Sequence, residues 1–488
     1  MLTIGQIFYL QGCQKIVYCT NVWRTKNKVQ RTKSMNLHRI ILVLIAVMYC
    51  ALSVMYAILT PPWESPDEPA HYLYVSQLAA RWRPPQKSTI QQTNRFSKDQ
   101  AFISSNYEWY QPALGYLPAA VVYKVLEIIA PDSLPKQIPS LSSLIPTIPS
   151  KYNIFIHPDR GILHVWDDAW GLLIIRMLLS LLGLPVIFAA YRLGSLVDKE
   201  SGFLGIAAAG WVAFLPQFTF INTSVRSDTL TNAIAALVFL TAALMQTSGE
   251  QRDRNALLMG ILLGLGLISK NTFVYMVPIG LIAVILSDPR APRTWLRLAL
   301  LVLSPALILW GAYYLAFDEA RIAFAYTLTT ALKINPELLT WKHLQEIPEP
   351  LLIDLFYARF GWANVAPPAI CSKFAFGFWS VGSCISLIQS VRFFRRPELG
   401  QQMKIVALLF VGMLLAFIGV VRFNLSVVQP QGRLLFPALL PWAILGFWGV
   451  WQILPKRSEK IVAILIVSFM LLFNIYALCF VLAPAYWR

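Results

Sequence analysis

Eleven long apolar runs constrain this chain more than any other feature, at roughly 38–60, 171–191, 203–221, 229–246, 256–269, 272–287, 295–316, 369–390, 405–421, 434–454 and 461–483. The first offers 23 mostly uncharged positions, which is about 35 Å of α-helix against a hydrocarbon core of about 30 Å. Backbone amides inside lipid must bond within their own segment, so such runs fold as helices. With 57% hydrophobic and 13% charged residues and a mean hydropathy of +0.57, the pattern predicts an all-α polytopic membrane protein of about eleven transmembrane helices. The first run ends in "AILTPPWE" with no small-x-small cleavage pattern, so it reads as a retained anchor. The fifth and sixth runs form one apolar stretch of 32 residues broken by "SKNT" at 269–272; as one helix it would reach about 48 Å. Two short helices turning at Lys270 are expected instead.

The basic residues assign the sides. Residues 1–35 form a basic extension, expected on the cytoplasmic side, and "MNLHRIILVL" from Met35 offers a second candidate start; residues 36–488 are the transmembrane domain. With that amino-terminal end inside, the short inner loops hold fourteen basic residues: Arg192, Lys199, Arg252, Arg254, Arg290, Arg293, Arg297, Arg392, Arg395, Arg396, Lys404, Lys456, Arg457 and Lys460. The short outer loops and the carboxyl end hold Arg226, Lys270, Arg422, Arg433 and Arg488, an asymmetry that follows the positive-inside rule. Two long loops, 61–170 and 317–368, are then outside. In the first, the stretches 69–82 and 112–128 are aromatic and amphipathic and suit helices lying at the interface. Between them, 131–150 is rich in proline and serine and reads as irregular.

This topology also accounts for the formal charge of +17, because the basic clusters lie between apolar runs and no nucleic-acid motif accompanies them. The cysteines at 13, 19, 50, 371, 384 and 479 include no C-x-x-C pair, so neither a disulfide framework nor a zinc site is indicated.

Unusual polar residues gather on the side of the long loops. "PPWESPDEPAHYLY" at 61–74 places Asp67, Glu68 and His71 after the first run; Arg176 lies inside the second; Arg226 and Asp228 join the third and fourth; Lys270 joins the fifth and sixth; Arg433 opens the tenth. Each also has a plain structural role. Ser65 could cap a helix with Glu68 as its capping-box partner, and Arg226, Lys270 and Arg433 could be interfacial anchors. Pro69 disfavours the helical region for the preceding residue, so Glu68 is expected at the helix boundary with its carboxylate free. His157, and His164 near Asp167 and Asp168, match no metal-ligand spacing. A charge within a span is costly and reads by default as functional, which singles out Arg176. A carboxylate that accepts a hydroxyl proton, beside cations that neutralise a departing phosphate, suits glycosyl transfer from a lipid phosphate.

The segments "PDEPAHY", "YQPALGYLPAA", "SVRSDTLTNAIAAL", "LGLISKNTFVYMVP", "ARFGWANVAPP" and "QGRLLFPALLPW" together resemble a family of bacterial membrane proteins of the GT-C glycosyltransferase type, and more distantly the protein O-mannosyltransferases. The resemblance implies Asp67 as catalytic base or acceptor-orienting carboxylate, with Glu68 beside it. It also implies Lys270 and Arg433 on the phosphate of a polyprenyl donor; His71, Arg176, Arg226 and Asp228, gathered on the same side, are the further substrate-binding candidates. The expected location is the bacterial cytoplasmic membrane, with the site on the outer face by the charge asymmetry; the acceptor, a lipid, glycan or protein hydroxyl, is not carried over by the resemblance. No cofactor is called for, and a divalent metal is left open. The rival class is a transporter or flippase of a lipid-linked saccharide, but paired repeats with interrupted helices are not evident.

A cysteine introduced at Ser140 is expected to react with an impermeant maleimide in intact cells. Labelling only after permeabilisation would reverse the assignment of sides.

Overall fold

The computed structural model describes residues 36–87, 106–136, 138, 152–155, 157 and 161–487, apart from 199, 248, 288–291, 332 and 395–399. The extension 1–35 and most of the irregular stretch 131–150 lie outside the described residues. All eleven apolar runs are helical. Eight are long and apolar enough to cross a membrane, and a ninth is a pair of helices bent by 58°. The other two are shorter.

In chain order these are α1 (36–59), α2 (Glu68–Arg81) and α3 (Leu117–Ile129) of the first long loop, then α4 (170–197). The bent pair is α5 (Phe203–Ala213) and α6 (Pro216–Asn222), followed by α7 (Asp228–Thr247). The short pair is α8 (Arg252–Leu267) and α9 (Met276–Ser287), joined through Lys270 and a 3-10 turn, Asn271–Tyr275. The rest are α10 (Pro292–Ala316), α11 (Ala369–Phe394), α12 (Gln401–Asn424), α13 (Leu439–Ile453) and α14 (Glu459–Tyr476). The described residues include no strand, and Phe360 and Val365 form an isolated antiparallel bridge. The chain is a multi-pass, all-α membrane protein.

The bent pair α5 and α6 is almost wholly enclosed and α7 and α13 largely so, while α1, α10 and α11 turn much of their apolar surface outward. The bend between α5 and α6 falls at Pro216, which cannot donate a helical hydrogen bond; Thr219 Oγ1 and Asn474 Nδ2 rejoin the freed region by bonding Ala213 O and Phe214 O. Both segments are buried, so the broken backbone meets protein and not lipid.

A second, smaller apolar cluster glues the first long loop to the bundle. It packs Trp63, Tyr72, Tyr74, Tyr116, Phe155 and Trp166 against the start of α4 and Val225. The two amphipathic stretches are therefore helices in place: α2, and a 3-10 turn Ala113–Tyr116 leading into α3. That turn needs Gly115, where a Cβ would stand 2.6 Å from Ser269 O and 2.7 Å from Ser227 Cβ. The loop is thereby drawn onto both the α6–α7 and α8–α9 connections.

On the opposite flank α11 and α13 cross at near backbone contact. A Cβ on Gly382 would lie 1.8 Å from Gly446 O, and one on Gly449 would lie 2.2 Å from Ser386 N. Ser386 Oγ donates to Leu445 O and accepts from Gly449 N, a close-approach interface of small residues and hydroxyls typical of membrane helices. Gly382→Leu should force the two helices apart and cost more than the 1–3 kcal/mol or so of ordinary overpacking. Melting of the purified protein should fall clearly in that variant and hardly at all in Gly377→Leu, whose Cβ would meet nothing within 4 Å.

Candidate active site

The acidic triplet of the first loop separates into three sites. Glu64 is fully buried and accepts from Ile154 N and Phe155 N, both at 3.0 Å, and pairs with His157 Nε2 at 2.9 Å. It clips the far part of the loop to the exit of α1. His157 is thus occupied in a carboxylate pair.

Glu68 is not free. It opens α2 after Asp67, and its carboxylate meets the Arg176 guanidinium edge-on: Nε donates to Oε1 at 2.8 Å and Nη2 to Oε2. Val225 N donates to Oε1 at 3.1 Å and Trp63 N to Oε2 at 3.2 Å. The remaining Arg176 donors go to Ala57 O, Thr60 O and Pro61 O, and the Trp166 ring lies 5.0 Å from the guanidinium carbon. Both side chains have no solvent exposure. The Pro69 argument placed the helix boundary correctly and missed the partner, which lies more than a hundred residues away.

Asp67 takes the intervening position in the left-handed region, φ 64. An aspartate tolerates that conformation better than most residues; Trp63, at φ 72, is bulky and held there by its bonds to Glu68 and Trp362. The turn aims Asp67 away from its neighbours. Its Oδ2 contacts Arg433 Nη2, and Tyr107 donates its hydroxyl to Oδ1 at 2.6 Å. Burial opposes ionisation of Asp67, but Arg433 and the Tyr107 hydroxyl outweigh it and hold the carboxyl well below its usual range.

Asp67 and Arg433 line a cavity of about 200 Å³ whose other walls include Gln217, Leu355, Arg359, Trp362, Gln429 and Gln431. Beside it lie the other predicted cations. Arg226 donates to Ser224 Oγ, Ser65 Oγ and Pro66 O. Lys270 contacts Asp228 Oδ1, and Arg226 Nη1 stands 3.9 Å from Asp228 Oδ2. Burial, then Arg433, lowers Arg226 to about 10, so it stays charged at neutral pH. Three cations thus face two carboxylates. Arg433 Nε and Nη1 and Arg226 Nη1 are buried with no hydrogen-bond partner among the described residues, a costly arrangement unless an anion fills it.

His71 sits behind this group, with Nδ1 2.7 Å from the Tyr116 hydroxyl. Burial, followed by Arg226, lowers it to about 3, so the imidazole is neutral. Of the eight predicted residues, Asp67 and Arg433 line the cavity, Arg226, Asp228, Lys270 and His71 adjoin it, and Glu68 and Arg176 form its support. Among the described residues no three His, Cys, Asp or Glu side chains group as a metal site.

The sequence reading missed Tyr107 and Glu108 of "NYEWYQP" and the cavity wall at Gln217, Arg359 and Trp362. Glu108 stands near Asp67, Asp228, Lys270 and Arg433; burial first, then Asp67, lifts its carboxyl to about 7. A folded-state value above the ordinary 4.5 means that the native state holds the proton more tightly, so stability falls as pH rises across that window. Glu108→Gln should remove this slope. Melting curves of wild type and variant should diverge between pH 5 and 8, with the variant gaining relative to wild type toward alkaline pH; parallel curves would contradict the assignment.

Residues 162–312 match the family model described as dolichyl-phosphate-mannose-protein mannosyltransferase. That segment contains Arg176, Arg226, Asp228 and Lys270 and excludes Asp67 and Arg433. A sequence comparison with characterised proteins finds no match. Among solved structures, ArnT from Cupriavidus metallidurans bound to undecaprenyl phosphate superposes with a TM-score of 0.51 at 11% identity, over 88% of this chain and 63% of that one. The apo state of the same protein gives 0.50 at 14% identity over the same shares. The chain therefore spans about 63% of the length of these structures, and over that length it shares their fold.

Proposed function

We propose that this protein is a membrane glycosyltransferase that moves a sugar from a polyprenyl-phosphate donor to an acceptor hydroxyl, at the outer face of a bacterial cytoplasmic membrane. The observation that carries the reading is the cavity in which Asp67 meets Arg433, whose Nε and Nη1 donors have no partner among the described residues. An excess of cations at the loop end of a membrane bundle suits a phosphate whose lipid chain lies alongside. The likeness to a protein captured with undecaprenyl phosphate supports the same ligand class.

The chemistry assigns each group a task. The acceptor oxygen attacks the anomeric carbon, the bond from that carbon to the phosphate oxygen breaks, and the bond's electron pair leaves with the polyprenyl phosphate. Arg433 and Arg226, with Lys270 beside them, match the added negative charge. The hydroxyl proton passes to Asp67. While Asp67 is paired with Arg433 it is a weak base; a donor phosphate that draws Arg433 toward itself loosens that pair and makes the carboxylate more basic. Glu68 acts as a positioning residue, since its oxygens are spent on Arg176, Trp63 N and Val225 N.

Asp67→Asn should preserve fold and donor binding while lowering turnover by about a hundredfold or more, the scale of general-base catalysis. Arg433→Gln should raise the apparent donor constant by about 1.5–3 kcal/mol, the range for a charged hydrogen bond, and leave acceptor dependence unchanged. Both are read by incubating the purified protein with a labelled polyprenyl-phosphate sugar and following release of the lipid phosphate. Near-normal turnover of Asp67→Asn would remove the base assignment. Translocation of the labelled lipid in proteoliposomes without its consumption would favour the flippase reading.

A further inference from the structure

We propose that the rest of the cavity wall, Trp362 with the carboxamides of Gln217, Gln429 and Gln431, is a seat for a single uncharged sugar ring. The inference rests on the donor reading above and specifies the part of the donor that this wall takes.

The lining itself divides in two. Asp67 and Arg433 are ionic and paired with each other, and the third charged residue, Arg359, bonds Ala363 O through its Nε; the rest of the wall carries Trp362 and three glutamines beside Leu355 and Ile221. A pyranose has an apolar face of C–H groups and an edge of hydroxyls, and its needs match that pair of chemistries: an aromatic face for the first, groups that both donate and accept for the second. Gln217 is 4% exposed. Its Oε1 accepts from Arg359 N at 2.6 Å, and its NH2 group has no partner among the described residues. Gln429 and Gln431 are fixed through their backbones, Gln429 N on Asn424 Oδ1 and Gln431 N on Gln429 O, while their side-chain amides have no partner among the described residues.

Trp362 is held as a rigid platform. Its Nε1 donates to Trp63 O at 3.0 Å. The turn that carries it is closed by the Phe360–Val365 bridge and passes through two left-handed residues, Gly361 at φ 60 and Ala363 at φ 65. Left-handed backbone at a non-glycine position is a cost retained where structure around it demands the geometry. Here it sets Trp362 on the cavity wall, and Arg359 Nε secures the turn on Ala363 O.

Size and charge narrow the ligand. About 200 Å³ is of the order of one sugar ring and too small for an oligosaccharide. A carboxylate on the sugar would draw Arg433 from the phosphate or Arg359 from the Ala363 turn that it secures, so the seat suits a neutral hexose.

The test is equilibrium binding to the purified full-length protein of radiolabelled undecaprenyl phosphate and of its glucosyl, mannosyl, galactosyl and glucuronyl derivatives. Wild type should bind at least one neutral hexosyl form about tenfold more tightly than the bare phosphate, one aromatic and hydrogen-bonding contact's worth. Trp362→Ala should erase that margin and keep affinity for bare undecaprenyl phosphate; Trp362→Phe should keep most of it. Gln431→Ala should reduce the margin. An equal loss for bare and sugar-bearing lipid in Trp362→Ala, a margin that survives it, or tighter binding of the glucuronyl form would each overturn the sugar seat and leave the phosphate site standing. If wild type bound no undecaprenyl phosphate at all, the donor reading would fall, and the seat with it.

Discussion

The buried pair of Glu68 and Arg176 is the joint on which the loop end of this protein depends. Isolated charges in a bilayer-spanning bundle are expensive, and a buried pair repays its desolvation only when the remaining hydrogen-bonding capacity is also filled. Here it is. Every guanidinium donor has an acceptor, and each carboxylate oxygen has two donors. The partners come from the end of α1, the turn after it, α2, α4 and the connection before α7. One ionic contact therefore fixes how three stretches distant in sequence approach one another, and it leaves Asp67, one residue earlier, with a single direction to face.

Neighbouring acids in "ESPDE" consequently do different work. Glu64 binds backbone of the same loop, Glu68 binds the bundle, and Asp67 faces the cavity. The left-handed turn at Asp67 separates the last two, since consecutive residues in a regular helix would point about 100° apart on one continuous surface. The cluster beyond it keeps an excess of positive charge because Glu68 is already neutralised by its own arginine. With Glu108 near its midpoint at neutral pH, that excess is also adjustable.

Much of this was legible from residue order, for reasons that can be named. Apolar length determines a membrane helix almost alone, so all eleven runs were recoverable, including the turn at Lys270, where a polar interruption splits a stretch too long for one crossing. Counting crossings was less secure: the α5–α6 bend and the brevity of α8 and α9 depend on Pro216 and on neighbours, not on hydropathy. The charged residues could be gathered to one end because helix ends alternate. Their pairing could not, because Glu68 and Arg176 meet through folding of a loop that carries no apolar period across the distance. Gln217, Trp362 and Glu108 are ordinary in sequence. Only the Phe360–Val365 turn and the bend at Pro216 bring the first two to the same wall, and only burial makes Glu108 unusual.

The short helices α8 and α9 have a consequence for the lipid around the protein. Sixteen residues of α8 reach only about 24 Å along the helix axis, against a hydrocarbon core of about 30 Å. Lys270, at the top of that helix, is therefore recessed, and Leu257, Leu258 and Ile261 of α8 are exposed on the outside of the bundle. Hydrophobic mismatch of this kind draws the bilayer thinner beside the helix or tilts it. Acyl-chain length in the host membrane is thereby a variable for α8 that the longer helices, matched to the hydrocarbon core, do not share.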